Sequence, residues 1–514
     1  MVTQSPKRFL EPWRRNSWPA SLAMLSGLLT IMANRSGVGW SWDSSDYVAV
    51  GKNFANGLGL LDATGIPMTV RPPGLSMVIA IGDWLGLSVF FTIQVLNVIS
   101  AMTIVIATHY LLGVSQVKKS IQNFATAFIA VSTSLLWQYS MIWSEPVFIA
   151  ILAIAMIVSL RCPSWQKVVK LAVLFATLFF VRYVGPVFAV AITVAATLID
   201  RQKIGMLKAT LMNFVSLALS MIPVWLWLQR NKNLDGTLTG ARAPGGGTLL
   251  NPLKTFTGTL GSWLIARPVE GSIYLSWDAY PQITKVLGVI FVLTFVVLLT
   301  FYLTKINQQA FSSSSFNVFA LSAIVLFMYV GFSAYRFVHW ELGPLDNRMM
   351  VPIYLPLVLI IAISVNKFEF SSKPLRMVFT VCFAGLVLTQ AVSSLNDSLK
   401  FGRDGRYWAA QGFKNMPIHR FVNTLESNSS LMSNQPQQLF AIWQKSSVFN
   451  QNQLESAQRA SCNHRYFVWY NSTYDDGTPN FEGQPEGSPT IFTDESGLIY
   501  DLGDCATDVT TFWP

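Results

Sequence analysis

Two acids and an arginine, Asp43, Asp46 and Arg71, fall within WDSSDYVAVGKNFANGLGLLDATGIPMTVRPPG, the stretch that follows the first apolar run of the chain. A carboxylate just outside such a run can face water at a membrane rim, where it can take or orient a proton. Inside the bilayer the same charge costs on the order of 2.5–3.5 kcal/mol even by insertion scales, so its presence asks for a purpose. The structural alternative is that Asp43 or Ser44 caps an amphipathic helix running through Tyr47, Val50 and Phe54. A further acid, Glu145 in Ser144-Glu145-Pro146, reads in isolation as the first-turn acid of a helix opened by proline. Three arginines have the chemistry to hold an anion, because guanidinium is always charged and donates hydrogen bonds in a fork. Arg71 precedes Pro72 and Pro73, which force an extended approach to the next helix. Arg182, in FFVRYVGP, must snorkel if it faces lipid and would meet a phosphate if it faces inward. Arg348, in GPLDNRMMVPIYLP, has Asp346 two residues away as a competing ion-pair partner.

Other motifs say less. The chain has only 4 histidines and no HxxxH or clustered Cys/His spacing, so His339, beside Trp340 and Glu341, does not mark a dedicated zinc site. The loop LTGARAPGGGTLLNP lacks the GK[ST] ending of a phosphate cradle and reads as a flexible cover, with Arg242 as a contact to donor phosphate or acceptor. Cys462 and Cys505 are spaced as a disulfide allows but does not require.

These residues need elements to hold them, and the composition says which kind. With 52% hydrophobic and 12% charged residues, against about 25% charged in soluble domains, the chain is a polytopic membrane protein. Its net charge of +10 comes from short basic clusters between apolar runs, not from a soluble face suited to nucleic acid. The fold class expected is mainly α, a membrane helical bundle of about eleven spanning helices. Runs at 19–34, 90–113, 120–137, 147–160, 167–182, 208–228, 283–304, 316–333, 350–365 and 375–393, with one more ending near Asp200, supply them, and 229–281 reads as a long polar loop. Leu75 to Leu87, short and broken by Gly82 and Asp83, reads as interfacial or re-entrant. That parity gathers Lys118, Lys119, Arg161, Lys167, Arg201, Lys203, Lys305 and Lys367 on one side, which places the N-terminus in the cytoplasm and the C-terminus outside. From about Asn396 the chain turns polar, with strand-like bursts RYFVWY and LIYDL. The domains expected are therefore 1–395, in the membrane, and 396–514, a small extracytoplasmic α/β domain.

The ordered set Asp43, Ser44 and Tyr47, then Gly57 and Gly59, Gly65 and Pro67, and Arg71-Pro72-Pro73-Gly74 resembles the first outer loop of the GT-C superfamily of lipid-linked-sugar glycosyltransferases. It is similar to the aminoarabinose transferases and to the family-39-like protein O-mannosyltransferases. The resemblance covers roughly 15–365 and departs from the mannosyltransferase branch in having Ser44-Ser45 after the first acid. It implies a glycosyltransferase that moves a sugar from a polyprenyl phosphate to a glycan, lipid or protein acceptor, with inversion, in the bacterial inner membrane. It also implies that Asp43 acts as base, that Glu145 approaches it across the cavity, and that a divalent ion shared by these two acids is the one cofactor left open. Arg348, with Arg182 or Arg71, would hold the lipid phosphate, and Asp46, Tyr47, Arg242, His339 and Asp346 complete the expected substrate-binding set. Two other classes stay open on the same residues. A transporter or flippase for a lipid-linked or anionic substrate also carries inward acids and arginines, though usually near the midplane, and an inactive scaffold would keep the fold alone.

Overall fold

The computed structural model describes residues 17–241, 248–269, 277–304, 313–340, 345–367, 373–444, 448–449, 453, 457, 462–471, 483–508 and 512. Arg242 lies outside the described residues. Polar gaps and prolines divide the apolar chain into α1 (Trp18–Ala33), α2 (Trp42–Ala55), α3 (Gly74–Trp84), α4 (Val89–Val114), α5 (Lys119–Ala130), α6 (Thr133–Tyr139), α7 (Glu145–Ser159) and α8 (Trp165–Val181). They continue with α9 (Gly185–Ile204), α10 (Met206–Asp235), α11 (Leu250–Leu264), α12 (Gln282–Thr304), α13 (Ser314–His339), α14 (Asn347–Met350), α15 (Tyr354–Lys367) and α16 (Lys373–Asp404). Among the described residues, six helical runs are long and apolar enough to cross a membrane: α4, α10, α12, α13, the joined α14–α15 run and most of α16. The helices α1, α3 and α7 are shorter but equally apolar. On α12 and α16 large apolar side chains such as Val297 and Leu388 are each 64% exposed, the surface a lipid-facing helix presents.

Three local features differ from the sequence expectation. The single helix expected over 120–137 is split, because the Ser132 hydroxyl accepts the Leu135 N–H (3.4 Å) and starts α6 afresh. The loop expected over 229–281 contains α11, whose pattern is hidden by threonines that are buried but satisfied: Thr259 bonds Tyr280 (2.9 Å) and the Leu345 carbonyl (2.8 Å). The last bundle helix does not stop near 393 but runs to Asp404, so the expected boundary at 395 falls inside α16.

Beyond α16 come α17 (Gln411–Lys414), α18 (Pro417–Val422) and α19 (Pro436–Trp443), with strands β1 (Ser430–Ser433), β2 (Val448–Phe449), β3 (His464–Tyr470), β4 (Thr490–Asp494) and β5 (Gly497–Asp504). The strands form one sheet in the order β2-β1-β3-β5-β4, parallel from β2 to β3 and antiparallel beyond. This domain has a small core of its own, Met432, Ala457, Phe467, Tyr500 and Leu502, and shares a second one with the first loop. Trp40, Tyr47 and Val48 of the first loop are buried in one cluster with Leu439, Trp443, Val448, Val468 and Ile499. Hydrogen bonds follow the same seam: Ser45 Oγ donates to the Gln437 carbonyl (2.6 Å), Val448 N–H to the Ala63 carbonyl (3.0 Å) and Gln453 Nε2 to the Thr64 carbonyl (2.7 Å). The C-terminal domain therefore braces α2 through α19 and the loop after α2 through β2.

Cys462 and Cys505 form a disulfide across 43 residues, fastening the start of β3 to the end of β5. Closing a loop of that length removes unfolded-chain entropy equivalent to about 4 kcal/mol. Cys462→Ser is thus expected to lower the unfolding free energy of this domain by about that amount, measured as an earlier denaturant midpoint in tryptophan fluorescence; an unchanged midpoint would show that the bridge carries no stability.

Candidate active site

The site is assembled by contacts that begin in the backbone. α2 starts at Trp42 because Ser44 Oγ accepts the Ser41 N–H (3.0 Å) and donates to the Ile142 carbonyl (3.1 Å). Two serines thus do the capping, and Asp43 is left to line a cavity. The segment leading to Glu145 lies alongside as a parallel bridge, with Gly39 N–H on the Ser140 carbonyl (2.8 Å) and Ile142 N–H on the Gly39 carbonyl (2.9 Å). A Cβ at Gly39 would stand 2.3 Å from Met141 Sδ and 2.8 Å from the Ser140 carbonyl, so this approach requires glycine. It brings Trp143, Ser144 and Glu145 to the start of α2.

Arg71 is delivered by a tight turn in which Asp62 accepts the Thr64 (2.8 Å) and Ile66 (3.0 Å) N–H groups, followed by an extended piece. That piece is pinned by Tyr183 Oη on the Thr69 carbonyl (2.6 Å) and Arg230 on the Met68 carbonyl (2.9 Å). The prolines then give way to α3, and Gly74 fits against α8, where a Cβ would meet the Phe180 carbonyl at 2.5 Å. Arg182 stands where α8 ends, in extended backbone, and Arg348 sits on the one-turn α14.

Three arginines and three carboxylates meet here. Arg71 spends all its nitrogens: Nε (3.2 Å) and Nη2 on Asp43, Nη1 on Asp46. Arg348 forks between Asp43, through Nη2, and Glu145, through Nε (2.7 Å), while its guanidinium lies 4.3 Å from the centre of the Trp143 ring. Arg182 pairs with Glu145 and donates to Ser144 Oγ (3.2 Å). Glu145 has no exposed surface, and Asp43 and Arg348 keep 23% each. The acid expected across the cavity is therefore in place, joined to Asp43 by a single guanidinium.

The remaining expected residues divide. Tyr47 lines the cavity with its hydroxyl donating to Ser144 Oγ (3.3 Å). Asp346 caps α14 by accepting the Met349 N–H (2.9 Å) instead of pairing with Arg348. His339 bonds the Tyr335 carbonyl (2.8 Å) and stacks on Tyr335, away from the cavity lining. Arg242 cannot be placed, lying outside the described residues. Sequence reading missed Trp143, Tyr329 and Arg336, all at the site. Trp143 and Arg336 stand one and three residues from Ser144 and His339, but an indole beneath a guanidinium leaves no mark in sequence spacing.

The cavity holds about 230 Å³. Its lining combines charged and polar side chains, Asp43, Arg71, Ser144, Arg182, Arg336 and Arg348, with apolar ones, Val184, Phe332, Phe337, Leu345 and Met349. Such a site suits a ligand with an anionic head on an apolar tail. Among the described residues no group of three or more His, Cys, Asp and Glu is arranged to hold a metal ion.

Burial would raise the Asp43 carboxyl, but Arg348 and Arg71 outweigh it and hold the group well below the ordinary carboxylate range. Asp46 goes the other way: burial, not offset by an Arg71 that it shares with Asp43, pushes it up to about 7. Below that pH Asp46 is neutral; above it, one more negative charge enters a site built for an anion. Affinity for an anionic ligand is therefore expected to fall as pH rises through about 7, with the limb absent in Asp46→Asn. A pH profile of anionic-ligand binding in the two proteins checks this, and a limb that survives the substitution assigns it elsewhere. Folding stability follows the same sign: the raised group's contribution is complete below about 4 and is lost as pH rises through about 7.

No protein-family model and no curated protein sequence matches the chain. Among solved structures it is similar to the arabinofuranosyltransferase AftD from Mycobacteria, at TM-score 0.53 and 13% identity over 96% of this chain and 40% of that one. The chain thus spans two fifths of AftD. It also matches ArnT from Cupriavidus metallidurans bound to undecaprenyl phosphate, at TM-score 0.49 and 12% identity over 95% of this chain and 98% of that one. The likeness is one of fold alone.

Proposed function

We propose that this chain of GT-C fold is a glycosyltransferase that moves a sugar from a polyprenyl-phosphate donor to an acceptor hydroxyl at the outer face of a membrane. The observation that carries the reading is the cavity in which Asp43 and Arg348 meet, lined by arginines together with apolar side chains. The fold supports it, and the Cys462–Cys505 bridge supports a C-terminal domain on an oxidising, extracytoplasmic side.

The chemistry follows from where charge grows. In glycosyl transfer the anomeric carbon becomes positive and the departing oxygen negative. The acceptor oxygen attacks the anomeric carbon from the face opposite the phosphate. The bond from carbon to phosphate oxygen breaks, its electron pair leaves with the prenyl phosphate, and the hydroxyl proton passes to Asp43. Direct displacement inverts the anomeric centre. Because its carboxyl is held so low, Asp43 is ionised at any working pH; it orients the hydroxyl first and takes the proton late, as the new bond forms. Arg348 keeps Nη1 without an acceptor among the described residues, so it can bond the phosphate without releasing either carboxylate. Arg182 joins it from the other side of Glu145. Arg71, fully engaged by Asp43 and Asp46, acts as a positioning residue instead. The prenyl chain packs on the apolar residues of the lining, Val184, Phe332, Phe337, Leu345 and Met349.

Purified protein incubated with a panel of radiolabelled prenyl-phosphate sugars and membrane extract as acceptor source tests the reading. Transfer of one label, abolished in Asp43→Asn and Arg348→Ala, is the expected result. Label transferred equally well by both variants would refute the site.

A further inference from the structure

The two carboxylates that a catalytic divalent ion would have to share, Asp43 and Glu145, are already bridged by a cation of the protein's own. Arg348 contacts Asp43 Oδ2 through Nη2 and Glu145 Oε1 through Nε (2.7 Å). The other Asp43 oxygen carries Arg71, and Glu145 Oε1 also carries Arg182. Among the described residues no third acid or histidine stands ready to complete a coordination shell, and Asp46 is tied to Arg71. Small hard cations demand several oxygen ligands at short range, and here both Asp43 oxygens and Glu145 Oε1 face guanidiniums, while Glu145 Oε2 takes the Ser144 hydroxyl (3.5 Å). The plane of Arg348 is also fixed from below by the Trp143 ring at 4.3 Å, and Trp143 is itself held by its Nε1 donating to Ser41 Oγ (2.8 Å). A side chain gripped by two carboxylates and an indole is a built feature of the site.

We infer that the Arg348 guanidinium, locked between Asp43 and Glu145, takes the place of a divalent metal, so that this protein binds and needs none at its catalytic centre. A metal would supply positive charge beside the leaving phosphate. Arg348 supplies it from a fixed position, and Arg182, on the same glutamate, adds a second charge. Guanidinium also donates in directions set by its plane, which lets Nη1 address a phosphate oxygen while the other nitrogens keep the carboxylates apart. The inference rests on the glycosyl-transfer reading only for its consequence in catalysis; the metal count stands by itself.

The test uses full-length protein stripped with EDTA and then dialysed against Mn²⁺ or Zn²⁺, with bound metal counted by atomic absorption and bound Mn²⁺ by electron paramagnetic resonance. The expected result is no stoichiometric metal and no difference between wild type and Asp43→Asn. One metal ion per chain in wild type that disappears in Asp43→Asn or Glu145→Gln overturns the inference, whatever the activity. In the transfer assay the stripped protein is expected to keep its rate within about twofold, and a rate lost to EDTA but restored by Mn²⁺ overturns it equally. A protein that transfers no sugar from any donor fails the functional reading, and the metal count still decides this one.

Discussion

Asp43→Asn should lower kcat for sugar transfer by roughly 10²- to 10⁴-fold, the usual contribution of a positioned base, while leaving the donor bound as tightly or more tightly. The two halves of that expectation have one cause. Asparagine keeps the shape of the side chain but cannot take the acceptor proton, and it removes the charge that now engages Nη2 of both Arg71 and Arg348. With that charge gone, both guanidiniums are freer to meet an anionic phosphate, so the donor KM should hold or fall as kcat collapses. A defect caused by misfolding would move both constants the wrong way and would lower the melting temperature. Because Asp43 keeps 23% exposure and sits at the cavity wall, the fold itself should tolerate the change. A kcat within about threefold of wild type would remove Asp43 from the chemistry.

Arg348→Ala carries the second large effect and a different signature. Removing a pre-aimed donor to a developing oxyanion typically costs about 10²- to 10³-fold in kcat. Here the loss should be joined by weaker donor binding, since the phosphate loses its Nη1 partner. Asp43 and Glu145 would also be left facing each other with one guanidinium fewer, and breaking a buried pair by removing one partner costs about 3–5 kcal/mol where burial is complete. Glu145 is fully buried, so a lower melting temperature should accompany the kinetic loss. Arg348→Lys separates charge from geometry: an ammonium keeps the charge but gathers its three N–H on one atom and lacks the planar fork that spans two separated carboxylates. It should recover stability more than rate. Equal recovery of both would show that only the charge matters and would weaken the argument that Arg348 replaces a metal.

Much of this molecule was legible in its residues. Apolar runs set most of the helices, because each backbone group inside a bilayer must be paired within its own segment. Asp43, Glu145, Arg182 and Arg348 stood out because charge in or beside apolar sequence is expensive and seldom left without a use. Proline pairs and glycine turns marked how Arg71 would be delivered. Less visible was whatever depends on a neighbour far along the chain. Thr259 looks like a loop residue until Tyr280 and Leu345 satisfy it, and α11 was lost with it. Asp346 looks like the natural partner of Arg348 because it is close in sequence, yet it turns back to cap its own helix.

The sequence by itself determined a membrane bundle with acids and arginines gathered near one rim, since hydropathy and the cost of buried charge are properties of single segments. Only the tertiary structure decided which charge meets which. Ion pairing falls off steeply with distance, and the few ångströms that join Arg348 to both Asp43 and Glu145 are set by a glycine contact at Gly39, a helix corner at Arg182 and the helix α19, which braces α2 from the far end of the chain.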